Sequence, residues 1–376
     1  MRAAFYAPMK PPNHAVPSGD RSIARLFMAA LQHAGYEPEV ASTLRTWSRD
    51  ASGLATQKQA AALEAERLIA AWRDDPPDVW LTYHVYYKAP DWIGPAVCQA
   101  LKIPYVIAEA SYALKRANGP WALGHDAAGA AIKAADLVLS PTKLDMNCIA
   151  PLLQDPQRNV FFPPFLDHVP FAEATLERKA HRTAIAATHD LETERPWMLT
   201  VAMMRDDAKR ESYAVIAEVL AALDRTDFGY LIVGDGPAAQ TIKAALAPWQ
   251  DRARFVGALA PDALPAYYAA ADLYLWPAVE EAFGMAFLEA QAAGCPVVAG
   301  NERGVPDVVQ DGTTALLGPP RAAKGLAIMV SRLLDDTSLR GTMSQQAAAF
   351  VARERSLVGA SVRLRALLEP LGAGAS

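Results

Sequence analysis

The sequence predicts an α/β protein made of two Rossmann-like, doubly wound domains facing each other across a cleft. Three observations predict it. Short, continuously apolar runs alternate with helical stretches in both halves, as expected for parallel strands covered on both faces. The series restarts after a charged segment, Glu173 to Glu194. The length of 376 residues suits two domains at roughly 100–200 residues each.

In the first half the apolar runs place strands near Ala3–Tyr6, Glu37–Ala41, Val79–Tyr83, Pro104–Ala108, Leu137–Leu139 and Asn159–Phe162. Helices fall between them at Arg21–Ala34, Gly53–Ala71 and Ile93–Leu101. In the second half strands are expected near Trp197–Ala202, Gly229–Val233, Ala253–Val256, Leu273–Trp276, Pro296–Ala299 and Ala315–Leu317. The intervening helices are Glu211–Leu223, Ala238–Ala247, Asp262–Ala271 and Met285–Ala293. A last helical stretch, Leu357–Leu371, has no strand after it and can cap either domain. The expected domains are 1–168 and 169–356. In open α/β sheets ligands sit beyond the carboxyl ends of the strands, so the cleft between two such sheets is the expected site.

Composition narrows the function. Hydrophobic residues make up 52% and charged residues 20%, enough apolar material for two cores. The formal net charge of -5 gives no basic excess for nucleic acid. Cys98, Cys148 and Cys295 are far apart, with no CxxC spacing. They read as buried small hydrophobes in a reducing compartment, not as disulfides or zinc ligands. The start lacks the apolar core of a signal peptide. No uncharged stretch approaches the roughly 18–20 residues that span a bilayer. The chain therefore reads as cytoplasmic, with peripheral contact at the inner face of a membrane left open.

The most informative segment runs from Glu280 to Ala299. A strand leads into a loop, then a helix begins near Gly284, and Gly294 and Pro296 close it. A helix N-terminus offers free N–H groups to an anion. Gly284, without a Cβ, lets a ligand approach the backbone. Glu289, in the second turn, points back toward that end, where a carboxylate can accept two bonds from a vicinal diol such as a ribose. Glu281 lies just ahead of the helix. The same spacing also suits an amphipathic helix with a solvated Glu at each end.

This segment resembles the E-x7-E motif of the retaining family 4 glycosyltransferases (glycosyl transferases group 1), with Glu281 and Glu289 as the two acids. The E-x-F-G, L-E-A and G-x-P-V-V-A context resembles the family's too, as do Gly304-Val305-Pro306-Asp307 and the run Asp311-Gly312 to Leu317. Asp307 stands where the family usually has Glu. Met204-Arg205-Asp206-Asp207-Ala208-Lys209-Arg210 resembles the family's turn whose Arg and Lys hold the donor diphosphate. Arg205 matches the Arg, and Lys209 or Arg210 fills the Lys position, Lys209 being preferred. Gly234-Asp235-Gly236-Pro237 resembles its strand-G-x-G-P turn, and Phe255-Val256-Gly257 sits where its base-reading loop starts.

The first half is less typical. Gly19, within Pro17-Ser18-Gly19-Asp20-Arg21, fits a loop that approaches the diphosphate, while Asp20 can equally be a plain N-cap. His84 ends an aromatic strand. Tyr86, Tyr87 and Trp92 are candidates for an acceptor wall, or simply pack. Where the family's strand ends in a His near the donor sugar, this chain has Ala110, and Glu109 or Ser111 stand beside it. His125 is a further candidate for the cleft. Pro163 to Asp167 resembles the family's interdomain stretch.

The resemblance implies the GT-B fold, with segment 357–376 crossing back onto the first domain. It implies transfer of a sugar from a nucleotide-diphosphate donor to a glycan or lipid-linked acceptor hydroxyl, with retention, as in bacterial polysaccharide, lipopolysaccharide or glycolipid synthesis. Glu281, Arg205 and Lys209 would act in catalysis. Glu289, Phe283, Gly284, Gly19, Gly234 and Arg210 would bind donor, and His84, Glu109, Ser111 and His125 would serve the cleft or acceptor. No D-x-D occurs, so no metal and no other cofactor is expected. The alternatives are a nucleotide-sugar epimerase or hydrolase on the same fold, and a non-catalytic nucleotide-sugar-binding scaffold. A nicotinamide oxidoreductase is disfavoured because no G-x-G-x-x-G follows the first strand.

Overall fold

A computed structural model describes residues 1–16 and 18–373; Pro17 of the expected glycine turn and residues 374–376 of the expected final segment lie outside it. In chain order the strands are β1 (Arg2–Tyr6), β2 (Glu37–Ser42), β3 (Val79–Val85), β4 (Tyr105–Ala110), β5 (Leu137–Ser140), β6 (Asn159–Phe161), β7 (Trp197–Val201), β8 (Gly229–Val233), β9 (Ala253–Gly257), β10 (Leu273–Trp276), β11 (Val297–Gly300) and β12 (Ala315–Gly318). The helices are α1 (Gly19–His33), α2 (Leu54–Trp72), α3 (Gly94–Leu101), α4 (Ala122–Ala134), α5 (Lys143–Ile149), α6 (Val169–Leu176), α7 (Arg178–His189), α8 (Ala208–Ala222), α9 (Ala239–Leu246), α10 (Leu264–Ala270), α11 (Met285–Ala292), α12 (Ala323–Asp335), α13 (Thr337–Glu354) and α14 (Leu357–Ala373).

Every expected strand forms, with ends shifted by one or two residues. The chain divides into two compact units. The first holds Met1–Pro163 and the segment from Leu357 onward, and the second holds Pro164–Ser356. This differs from the expected boundary at 168. Leu166 forms a parallel bridge with Ser356, and its amide bonds the Arg355 carbonyl at 3.0 Å, which ties 164–168 to the second unit. In the first unit α14 packs on α1, and Arg363 of α14 donates to the Phe161 carbonyl at 2.9 Å.

Both sheets are six-stranded and parallel. The first has the order β2-β1-β3-β4-β5-β6, the second β12-β11-β10-β7-β8-β9. The strand order reverses between β1 and β3 in one, and between β7 and β10 in the other. At such switch points consecutive crossovers leave on opposite faces and open a crevice at the carboxyl ends. The β7–β10 ladder pairs only Met198 and Leu199, against Leu273 and Tyr274, while both strands run on. Their carboxyl ends therefore part, bridged by side chains: Tyr274 donates to the Val201 carbonyl at 3.1 Å, and Thr200 to that of Leu275.

Asp91, buried in the first core, is fully hydrogen-bonded, as burial of a carboxylate requires. Asp91 caps α3, accepting the Ile93 and Gly94 amides at 2.8 Å each and the hydroxyls of Thr82 and Tyr105 at 2.6 and 2.8 Å. Burial nonetheless pushes its carboxyl pKa up. Gly94 must be glycine, since a Cβ there would lie 2.5 Å from the Asp91 carboxylate.

The charged segment read as a separator is a helix. Arg178 and Arg182 of α7 reach Asp272, at the start of β10, at 2.8 and 3.0 Å, and Asp272 also accepts the Trp197 amide at 2.7 Å. Arg182 lies 4.1 Å over the Trp197 ring and bonds the Ala270 carbonyl. Arginines that looked like solvated linker charges thus fasten α7 beneath the sheet. Asp272 is only 13% exposed and also lies 3.8 Å from Arg340 Nε, so Asp272→Ala, which takes the ion-pair partner from three guanidiniums, is expected to cost about 3–5 kcal/mol. Arg178→Ala is expected to cost less, because Arg182 keeps the carboxylate paired. Urea denaturation of the two variants gives the comparison, and equal midpoints would remove the clamp as a source of stability.

Candidate functional site

In the second unit the chain after β7 and the chain after β10 meet at the switch point. Asp207 caps α8 by accepting the Lys209 amide at 2.9 Å, which sets Lys209 in the first helical turn. Its ammonium pairs with Glu281 and lies 5.2 Å over the Trp276 ring. Trp276, the last residue of β10, donates its indole N–H to the same Glu281 oxygen at 3.0 Å. Arg205 is exposed and donates to the Met203 sulfur at 3.1 Å. Arg210 turns away to an exposed pair with Asp206. Of the two cations offered for one role, Lys209 is the one the fold brings to Glu281.

The segment between β10 and α11 is strained at Ala278 and Glu280, which have positive φ, and turns again through a positive φ at Gly284, where glycine carries no penalty. Gly284 precedes α11, which has no side-chain cap. A Cβ at Gly284 would lie 2.7 Å from the Phe287 ring and 3.3 Å from Glu281. Phe283 is buried beside it. Glu289 accepts the Tyr268 hydroxyl at 2.8 Å. Burial raises its pKa, and the Tyr268 bond offsets part of that. Tyr274 lies in the field of both Glu281 and Glu289; burial first, and then these two charges, keep its hydroxyl neutral. The two glutamates therefore stand over one buried floor of Tyr268, Tyr274 and Trp276.

Gly234 and Gly236 have a backbone reason to be glycine. Their φ values are 142° and 155°, and a Cβ would lie 1.9 Å from the Ala202 carbonyl oxygen or 2.5 Å from that of Met204. They let the turn after β8 pack on the turn that carries Arg205.

A second cluster gathers at the β1/β3 switch point of the first unit. Ser18, not Asp20, caps α1, accepting the Arg21 amide at 3.2 Å. Gly19 opens the helix, and a Cβ built there would meet no described atom within 4 Å beyond its chain neighbours. Asp20 is left to accept from His84, its Oδ1 3.0 Å from Nδ1, while the other ring nitrogen lies 3.6 Å from Glu109 Oε1. His84 and Glu109 both have φ of 65°. Left-handed conformations cost such residues roughly 1–2 kcal/mol each. Burial alone pushes the His84 pKa down, but Glu109 and Asp20 outweigh it and raise the ring to about 9. Burial of Asp20 is likewise outweighed by His84, and its carboxyl pKa falls.

Ser111 is exposed, its hydroxyl 3.5 Å from Asp145. The expectation that His125 opens onto a ligand is not met: it is buried in α4, its ring 4.2 Å from that of Tyr112. The sequence reading missed Asp20 as the partner of His84, and Tyr268 and Trp276 as partners of the glutamates. The only signal was their place at element ends or in a helix beside the motif.

With this geometry in place, the comparisons are specific. Residues 195–336 match the family model described as Glycosyl transferases group 1. Alpha-D-kanosaminyltransferase of Streptomyces kanamyceticus is 28% identical over 283 residues, covering 74% of this chain and 71% of that protein. A glycosyltransferase from Rickettsia africae superposes with a TM-score of 0.76 at 18% identity, covering 98% of both chains. Anabaena HepE in complex with UDP-glucose superposes at 0.70 with 15% identity, covering 98% of this chain and 99% of that one.

The imidazolium of His84 carries a pH signature. Its folded pKa, about 9, lies above the ordinary 6.5. Its stabilising contribution is therefore full below pH 6.5 and is lost as the pH rises through about 9. His84→Asn, which tolerates the left-handed backbone, is expected to lie furthest below wild type in melting temperature near pH 6 and to converge on it above about pH 9. A constant gap across that range would mean that folding does not raise the pKa of the ring.

The fold is GT-B, as in these structural neighbours, and residues 195–336 match the glycosyl transferases group 1 model in a chain that is similar to a glycosyltransferase over 74% of its length.

Proposed function

We propose that the protein moves a sugar from a nucleotide-diphosphate donor to a hydroxyl of a glycan or lipid-linked acceptor, with retention of configuration and without a metal ion. The observation that carries this is the meeting of Lys209, Glu281 and the uncapped start of α11 at one switch point, inside the matched domain. UDP and UDP-glucose are bound by a structural neighbour, which supports a nucleotide-sugar as the donor class.

Each residue then has a stated job. Without donor, Lys209 and Glu281 neutralise each other. A diphosphate draws the ammonium to itself and frees the Glu281 carboxylate for hydroxyls of the sugar. Arg205, held on a turn that the two close-packed glycines fix, adds a second cation. As the glycosidic bond breaks, charge grows on the leaving diphosphate, and preorganised cations with the α11 amides favour that state. This is leaving-group stabilisation that side chains supply on their own. Glu289, anchored by Tyr268, takes the ribose diol. The family's common work places the reaction in bacterial polysaccharide, lipopolysaccharide or glycolipid synthesis, on the cytoplasmic side of the membrane. No helix among the described residues is long and apolar enough to cross a bilayer.

Melting the protein with millimolar UDP-, GDP- and ADP-sugars tests the reading, since a ligand of the folded state raises its melting temperature. One base is expected to stabilise it, equally with and without EDTA. Arg205→Ala and Glu289→Ala are each expected to lose at least ~10²-fold in transfer rate. Wild-type rates in both folded variants would refute these roles. Loss of activity in EDTA that manganese or magnesium restores would refute metal independence.

A further inference from the structure

The ladder between β3 and β4 pairs Tyr83 with Ala108 and Val85 with Ala110, leaving His84 and Glu109 opposite each other and both left-handed. Regular pairing on either side shows that the sheet does not need this double kink. What it does is bring an imidazole from one strand against a carboxylate from the next, with Asp20 of α1 on the ring's far nitrogen. Both side chains remain partly open, 18% for His84 and 16% for Glu109.

We propose that Glu109 is the specificity-determining residue of the first unit, accepting a hydroxyl of a neutral carbohydrate ligand, and that His84 and Asp20 are positioning residues, His84 keeping its carboxylate ionised and Asp20 holding the His84 ring against it. This rests on the glycosyl-transfer reading and supplies its acceptor side.

The charges around Glu109 explain why it needs such partners. Burial raises its pKa, His84 opposes that, and Asp145 of α5 and Asp20 of α1 add to the rise. Without an imidazolium it would tend toward the protonated acid, which has lost half its acceptor capacity. With His84 charged, the carboxylate keeps lone pairs beyond those facing His84 and the Tyr83 hydroxyl. The other groups here are Tyr86, its ring 4.9 Å from His84, and Lys10, which acts on Asp20. Three carboxylates against one imidazolium at Glu109 disfavour a phosphorylated ligand and leave a neutral polyol.

Saturation-transfer NMR on the full chain tests this, with methyl α-D-glucopyranoside and methyl α-D-mannopyranoside as probes from about pH 5 to 9. In wild type the transfer to at least one probe should rise with pH as Glu109 ionises. Glu109→Gln should abolish the rise and leave transfer about tenfold below wild type at the high-pH end, the loss of a hydrogen bond to a charged group. His84→Asn should retain binding at high pH but move the rise upward by about one unit. A merely structural His84 would weaken binding without moving that midpoint. If His84→Asn does not fold, the His84 ring resonance decides instead: its midpoint, near 9 in wild type, should fall in Glu109→Gln. No transfer to either probe, equal transfer in Glu109→Gln, or an unmoved midpoint overturns the proposal. UDP, GDP and ADP binding belongs to the second unit and should be unchanged in Glu109→Gln. Absence of all nucleotide binding in wild type would instead overturn the glycosyl-transfer reading.

Discussion

The chemistry of this protein depends on a constraint of parallel sheets. Strands that run the same way must be joined by crossovers, and the crossovers must change face somewhere. In the first sheet that place lies between β1 and β3, in the second between β7 and β10. The chain leaving each pair of strands diverges, so that side chains from distant segments meet where no strand fills the space. Lys209 and Glu281 are 72 residues apart and touch for this reason. Asp20 and His84, 64 apart, touch for the same reason. Neither pairing follows from local propensity; both follow from strand order.

Each cluster also balances charge against burial, in opposite ways. In the second unit the cation and the carboxylate satisfy each other, and the indole of Trp276 steadies both. A diphosphate can compete for such a pair, because the partner it displaces has sugar hydroxyls to turn to. In the first unit one imidazolium stands between two carboxylates, with Asp145 adding a third negative charge to its field. That balance keeps the ring charged at neutral pH and leaves acceptor capacity over. An exchangeable pair suits a charged donor, and surplus acceptors suit an uncharged ligand.

Much of this was legible in the sequence. The strands are short and continuously apolar because both faces of each sheet are covered, so Val79–Val85 or Gly229–Val233 could be found from composition alone. Glu281, Gly284 and Glu289 were legible because a strand, a glycine and a helix fix their spacing locally. What was not legible depends on the third dimension. Arg178 and Arg182 looked like linker charges because Asp272, which receives them, lies 94 and 90 residues away. Asp20 looked like an N-cap because Ser18, two residues earlier, competes for the same task with the same kind of oxygen. His125 looked like a cleft residue because a sequence does not show that Tyr112 covers it. Capping separates Lys209 from Arg210 in a way that spacing does not: with Asp207 as N-cap, Lys209 faces Glu281 and Arg210 faces away.

The backbone outliers sort the same way. Gly234, Gly236 and Gly284 sit where a Cβ would strike a carbonyl or a ring, so their positive φ values carry no strain and serve close packing. His84 and Glu109 have a Cβ and adopt the left-handed region anyway, side by side, in otherwise regular strands. Two such residues together cost roughly 2–4 kcal/mol, a sizeable part of the net stability of a domain. The contacts that offset it are the ion pairs the kink itself creates. A core serving stability alone would do better with two β-branched residues in register, as Thr82 and Ile107 are earlier in the same ladder. The strain therefore marks where the first unit departs from the optimum for folding, and it does so at the crevice that its strand order opens.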